Sequence, residues 1–419
     1  MSVFSRKKQK AENKLSTSGG QSFFIGSSSS AGTFVSENTA MQTAAVYACV
    51  RVISETIASL PLHVYRNETG GAVPAPEHRL YRLLHYAPSP EMTSFTFRET
   101  LMSHLLLYGN AYAQIIRDNG GRIIRLYPLL PYKMDVARGD DGELYYTYWR
   151  DRDEARPGQK DGGVALDNED VLHFTGLSND GLVGYSPIAL ARNTVGLAKA
   201  TEEYGAGFFA NSATPGGILE CPGDTNKVTT ETIRTAWEGL YKHNNGRVAV
   251  LSGGMKFSPV SIAPNDAQFL ETRKFQLNEI ARIFRVPPHM IGDLEKSSFS
   301  NIEQQSLEFV KYTISPWLVR LEQAMFLALL SEKEQEKYFI KFNLDGLLRG
   351  EYESRMRGYT MGINAGFMSP NDARRFEDWP LISPEKGGDD YHMNGAMKTL
   401  EALRLAEGFR ALEVQGEKN

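Results

Sequence analysis

A chain of 419 residues with 41% hydrophobic content is long enough to bury a sizeable core and to form more than one structural region. Charged residues make up 23% and the net charge is -4, so the chain as a whole exerts no strong pull on nucleic acid or an anionic membrane, and any DNA contact has to be local. Cys49 and Cys221 lack the paired spacing of a zinc or redox motif and read as buried thiols. The greasiest run, residues 326–330, falls far short of the roughly 18 apolar residues of a membrane span, which excludes an integral membrane protein.

The start of the chain is basic around Arg6, Lys7, Lys8 and Lys10, and a Gly/Ser-rich run follows instead of an apolar signal core. Residues 1–38 bury too little to order themselves and read as a flexible arm, its basic cluster either a solvated tail or a contact to capsid or nucleic acid. Val46, Cys49, Val50, Ile53, Ile57 and Leu60 recur at steps of three and four, one apolar stripe of a helix that Pro61 stops. A strand at 62–66 runs into a Gly-Gly turn, and a helix over 93–108 follows, with Thr93 or Ser94 as cap and Gly109 as stop.

From Ala111 to Phe174 the pattern is strand-like. Residues 112–117 and 122–127 flank a turn at 118–121, and residues 133–137 face 143–149 across 139–142. A polar loop at 151–170 precedes a strand at 171–174. Ser186 as cap and Pro187 at the first position then open a helix to about Asn211, broken at Pro215-Gly216-Gly217.

A compact insert follows: a strand at 217–221, a helix at 230–243 with Ile233, Trp237, Leu240 and Tyr241 on one side, and strands at 247–251 and 255–260. A second long helix spans 265–285, until Pro287-Pro288 ends it. After a loop at 292–301, a third long helix over 302–330 carries Pro316, which removes an internal hydrogen bond and predicts a kink. A strand at 338–343 and helices at 351–362 and 370–376 complete the pattern, with Ser369 and Pro370 as cap and first turn. The Gly-rich, charged residues 384–419 read as a flexible tail with an amphipathic stretch at 397–412.

The search for chemistry returns little. Gly253-Gly254-Met255-Lys256 lacks the spacing and the hydroxyl of a phosphate-cradling loop and reads as a hairpin turn. Gly184-Tyr185-Ser186-Pro187 lacks the second glycine of a hydrolase elbow, so Ser186 is a helix cap. No histidine pair has the spacing of a helical zinc site, and His173 reads as a satisfied core or interface residue. The acidic groups at 140–141, 167–170 and 389–390 sit in turn-like, solvated segments. Neither a catalytic residue, a metal nor a cofactor is called for.

Five stretches together carry a resemblance: residues 44–54 (AAVYACVRVIS), 107–112 (LYGNAY), 184–187 (GYSP), 284–292 (FRVPPHMIG) and 361–366 (MGINAG). In this order the chain resembles the portal proteins of long-tailed bacteriophages over most of residues 38–380. The resemblance implies an α+β subunit: a β-rich wing, two stem helices bracketing a small α/β clip, a kinked long helix and a helical crown. It divides the chain into an arm at 1–38, wing at 39–185, stem at 186–215, clip at 216–263, stem at 264–291, tunnel loop at 292–301, kinked helix and wing strand at 302–350, crown at 351–383 and tail at 384–419.

By the same resemblance the chain forms a ring, dodecameric in that family, through which double-stranded DNA passes without sequence specificity during packaging, retention and ejection. The partners implied are the terminase large subunit, a head–tail adaptor, and the major capsid and scaffolding proteins, with no membrane. Lys296, Ser297, Ser298 and Phe299 of the tunnel loop and Lys274 and Arg282 of the stem are the expected DNA-channel residues. Trp237, Tyr241, Lys242 and Asn245 of the clip are the expected docking residues for motor and adaptor. A channel that lets DNA slide needs weak phosphate attraction, which stem cations (Arg192, Lys199, Arg273, Lys274, Arg282 or Arg285) balanced by Glu202, Glu203, Glu271 and Glu279 would provide; some of these charges would instead link neighbouring subunits. Two rival readings are a DNA-packaging enzyme, which lacks its nucleotide loop or metal cluster, and another virion part such as a capsid, adaptor or tail protein.

Overall fold

The structure, a computed structural model, describes residues 26–69, 71–139, 142–152, 162–210, 217–221, 227–241, 254–259, 266–294, 299–344, 352–377 and 379–392. The chain divides into two units, Met1–Asn343 and Leu344–Asn419.

Residues 26–38, expected to be part of a flexible arm over 1–38, instead contribute regular elements to the larger unit. Strands β1 (Ser27–Ser28) and β2 (Phe34–Val35) pair, and the short helix α1 (Glu37–Ala40) follows with a Ser36–Thr39 capping box. Composition misjudges this segment because its serines and threonines find partners far along the chain. Ser30 N–H donates to Asn193 Oδ1 at 3.1 Å and Thr33 Oγ1 to Gly196 O at 2.8 Å, while Val35 is buried.

Helix α2 (Ala44–Ser59) buries the expected stripe of Val46, Cys49, Val50, Ile53 and Ile57. It packs against helices described below, and burial pushes the Cys49 thiol up to about 12, so it is inert. Strands β3 (Leu62–Glu68) and β4 (Gly71–Pro74) form a hairpin. The sequence pattern missed the next element, α3 (Arg79–His85), where the imidazole of His78 accepts from Leu80 N–H and so does the work of a cap that Ser or Asp would signal. Helix α4 (Ser94–Tyr108) starts at Thr93, whose hydroxyl accepts from Thr96 N–H, and stops at left-handed Gly109, as the sequence predicts.

Strands β5 (Asn110–Arg117) and β6 (Ile123–Leu129) pair, as do β7 (Met134–Arg138) and β8 (Leu144–Trp149). Within the expected polar loop at 151–170, a further strand β9 (Gly163–Leu166) pairs with β8, so that loop is shorter than the sequence indicates. Four residues beside a polar run carry too little pattern to be read locally. Strand β10 (Val171–Thr175) returns to β5, giving the sheets β10-β5-β6 and β7-β8-β9, all antiparallel.

Ser186 caps the next helix as expected, accepting from Ala189 N–H at 3.1 Å, but the helix is interrupted: α5 (Pro187–Leu190) ends at Ala191 and α6 (Arg192–Ala210) begins anew. Then come β11 (Gly217–Glu220), α7 (Lys227–Tyr241), β12 (Lys256–Pro259), which pairs with β11, and α8 (Asp266–Phe284), which packs along α6. The strand expected at 247–251 lies outside the described residues.

Helix α9 (Phe299–Phe309) leads through a π-turn (Val310–Ile314) into α10 (Ser315–Leu329). The π-turn is how the chain absorbs Pro316: Ser315 N–H reaches back five residues to Val310 O, and Ser315 Oγ donates to the same carbonyl at 2.9 Å. Short helix α11 (Glu332–Gln335) precedes β13 (Tyr338–Phe342), which pairs with β3 to complete a sheet in the order β13-β3-β4. Helix α10 packs on β10 and β13, and α2 on α4 and α8, so one core is shared between helices and sheets.

The smaller unit holds α12 (Tyr352–Asn364) and α13 (Pro370–Phe376), the latter capped by Ser369 as predicted. Residues 384–392, expected to belong to a flexible tail over 384–419, are instead held against α13. Buried Asn371 is the reason. Its Nδ2 donates to Ile382 O and Asp389 Oδ1, both at 2.9 Å, and its Oδ1 accepts from Ile382 N–H at 2.8 Å, pinning the returning chain.

Candidate functional site

Two of the sequence stretches singled out above, 107–112 and 184–187, meet in space although they lie over seventy residues apart. Asn110 is buried at the start of β5. Its Oδ1 accepts from Gly184 N–H at 2.8 Å and its Nδ2 donates to Gly184 O at 2.9 Å, a two-point clasp on one residue. Glycine is required on both sides: a Cβ on Gly109 would sit 2.0 Å from Tyr185 O, and one on Gly184 would sit 2.1 Å from Gly109 O. Beside the clasp, Ser186 Oγ lies 2.7 Å from Leu107 O and 3.2 Å from Glu37 Oε1. The joint fixes the base of α5 and α6 to α4 and β5.

His173 completes this joint. Its Nε2 lies 3.2 Å from Asn110 Oδ1, which can only accept, so the proton sits on Nε2 and Nδ1 accepts from the Tyr146 hydroxyl at 3.3 Å. The ring stacks on Tyr112 with centroids 4.3 Å apart, and desolvation pushes the imidazole down to about 3. It is the satisfied core histidine that the sequence suggests.

The stem helices are the expected seat of the channel cations, and most of those charges have partners within the subunit. Arg273 pairs with Glu202 of α6 at 3.8 Å, Lys199 with Glu203 at 3.8 Å, and Arg282 with Glu279 one turn away. Arg192 bonds to the Ser27 hydroxyl, and Lys274 is half-buried. Of the expected DNA-channel residues, Lys274 and Arg282 therefore share α8, but Arg282 is engaged by Glu279. Lys296, Ser297 and Ser298 lie outside the described residues; Phe299 opens α9.

Helix α8 ends in a way sequence pattern alone did not flag. Arg285 has φ +56°, the one non-glycine residue with positive φ among those described. Arg285 N–H donates to Arg282 O and Val286 N–H to Ala281 O, a Schellman closure in which arginine occupies the place that favours glycine. Its carbonyl is held by Thr313 Oγ1 at 2.6 Å. The left-handed conformation costs a side-chain-bearing residue roughly 1–2 kcal/mol, so Arg285→Gly is expected to raise the unfolding free energy by about 1 kcal/mol, read from urea denaturation. The signal was in the sequence: a helix stopped by Pro287-Pro288 with no glycine at its end.

The clip residues are not brought into a single site by the described residues. Trp237 lies half-buried on α7, Tyr241 is its last residue, and Lys242 and Asn245 lie outside the described residues. Cys221, expected to be buried, is only half-buried at the end of β11. Gly254 turns into β12 with φ +78°. Among the described residues no three metal-ligating side chains come together, and no helix is long and apolar enough to cross a membrane.

This mixed α+β architecture is that of solved portal structures. The structure of an HK97 family phage portal protein from Corynebacterium diphtheriae superimposes with a TM-score of 0.55, at 17% identity, over 74% of this chain and 96% of that one. A chain from the neck of an empty gene transfer agent particle, computed with C6 symmetry, superimposes with a TM-score of 0.57, at 23% identity, over 83% of this chain and 94% of that one. In sequence, the chain is 37% identical over 365 residues to the portal protein of Enterobacteria phage HK97, covering 85% of this chain and 82% of that protein. The profile of the family described as phage portal protein matches residues 44–378, and the chain belongs to that family. The family is structural, so the chain is a virion component and not an enzyme.

Proposed function

We propose that this chain is the subunit of a closed ring, of twelve copies by family resemblance, around the channel through which double-stranded DNA enters and leaves the capsid at one vertex. The observation that carries the reading is the charge balance of the α6–α8 pair. With Arg273 and Arg282 each engaged by a glutamate, a wall built from these helices attracts phosphate weakly enough for DNA to slide. The symmetric neck of the structurally similar gene transfer agent chain supports the ring.

On this reading, residues 186–215 and 264–291 form the stem, 216–263 the clip, 292–301 the tunnel loop, 39–185 with 302–350 the wing and 351–383 the crown. The clip, with Trp237, Tyr241, Lys242 and Asn245, receives the terminase large subunit during packaging and a head–tail adaptor afterwards. In the tunnel loop Lys296 touches the DNA backbone, with Ser297 and Ser298 beside it and Phe299 packing the loop, and the major capsid and scaffolding proteins are further partners. Electron microscopy of the purified protein is expected to give closed rings with a central channel. A soluble monomer that forms no ring at any salt concentration would refute the reading.

A further inference from the structure

Resting on that ring reading, we infer that the groove between α8 and the α9 π-turn receives α6 of a second copy, with Arg285 anchoring it. The groove has a volume of about 920 Å³, a floor that includes Val286 and Phe309, and exposed aromatic rims. Phe275 is 59% exposed on one side and Tyr312 55% exposed on the other. Large aromatics flanking an arginine belong to protein contacts more than to a wall along which DNA slides.

The charges of this groove narrow the occupant. Arg282 is engaged by Glu279, Asp293 accepts from Asn278 at 3.3 Å, and Glu308 accepts from Gln304 at 3.2 Å. Arg285 is exposed and makes no side-chain hydrogen bond or ion pair with any described residue, although the backbone bears a left-handed conformation to keep an arginine there. Glu271 lies at the far end of the groove, fourteen residues earlier on α8. An occupant with an apolar ridge and a carboxylate fits the Arg285 end.

The chain carries such a ridge. Leu197 is 44% exposed and Tyr204 52% exposed, two turns apart on α6, and they lie away from Ala198 and Glu202, which face α8. Glu203, beside Tyr204, has a side chain 60% exposed, and among the described residues it is paired with Lys199 at 3.8 Å, a weak surface pair. Ridge and groove are different patches of one subunit, which is what a heterologous contact that closes by rotation requires. Glu203 of each copy then meets Arg285 of the next.

Two measurements on the full chain test this, starting from wild-type rings. A Leu197→Cys/Phe275→Cys variant, oxidised as intact rings, is expected to give a ladder of covalent multimers on a denaturing gel, which neither single variant gives. Arg285→Glu is expected to lower the ring fraction at least tenfold, and Glu203→Arg with Arg285→Glu to restore it. Absence of the ladder in intact rings overturns the inference. So does an Arg285→Glu ring that assembles normally but retains DNA poorly, which would place Arg285 in the channel. If Arg285→Glu fails to fold, the cross-link decides alone. Wild-type protein that forms no rings refutes the ring reading instead.

Discussion

Asn110→Ala is expected to lower the unfolding free energy of the larger unit by about 3–5 kcal/mol, because the truncation leaves several buried groups unpaired at once. Gly184 loses the acceptor of its N–H and the donor to its carbonyl, and His173 loses the acceptor that fixes its tautomer. The Thr175 hydroxyl, 3.2 Å from His173 Nε2, can take over that one bond, but the backbones of Gly109 and Tyr185 pack too closely around the joint to admit even a Cβ beside Gly184. Urea denaturation followed by circular dichroism measures the loss, and a change below about 1 kcal/mol would show that the clasp is not what holds the base of α5 and α6 to α4 and β5.

The second large effect is on acid stability. Burial pushes His104 down to about 4 and His173 to about 3, so both are neutral in the folded chain below the pH at which they would protonate in the unfolded one. A base with a depressed folded pKa contributes stability that is fully present above its unfolded value, near 6.5, and is lost as pH falls toward the folded value. At pH 5 the loss is about 2 kcal/mol for each histidine relative to pH 7. His63 and His78, also lowered by burial, act in the same direction, while Glu322 and Asp170, raised by burial, oppose it.

The expected result is a urea midpoint that falls steeply between pH 7 and pH 5, with a shallower fall in His173→Gln. That variant keeps an amide able to bond to Asn110 but has no proton to gain. Equal slopes for the two proteins would mean that His173 is solvated in the folded state.

What the sequence by itself determined were features written in neighbouring residues. Thr93 and Gly109 bound α4, Ser186-Pro187 opens α5, Ser369-Pro370 opens α13, and the spacing of Val46, Cys49, Ile53 and Ile57 sets the buried face of α2. Caps, prolines and apolar periodicity act over a few residues, so a local reading captures them. The order of long helix, insert and long helix was legible for the same reason, while the portal family was legible through the resemblance carried by five short stretches in order.

Tertiary structure alone decided what depends on partners far along the chain. It brought Asn110 to Gly184, held residues 26–38 against Asn193 and Gly196, returned residues 380–390 to Asn371, and added β9 to β8. It also sorted the cations of α6 and α8, engaging Arg273 with Glu202 across two helices and leaving Arg285 exposed at a strained helix end. The physical reason is the same in each case: a charge or a buried polar group is satisfied by whatever the fold places within about 3 Å of it, and the intervening sequence carries no record of that distance.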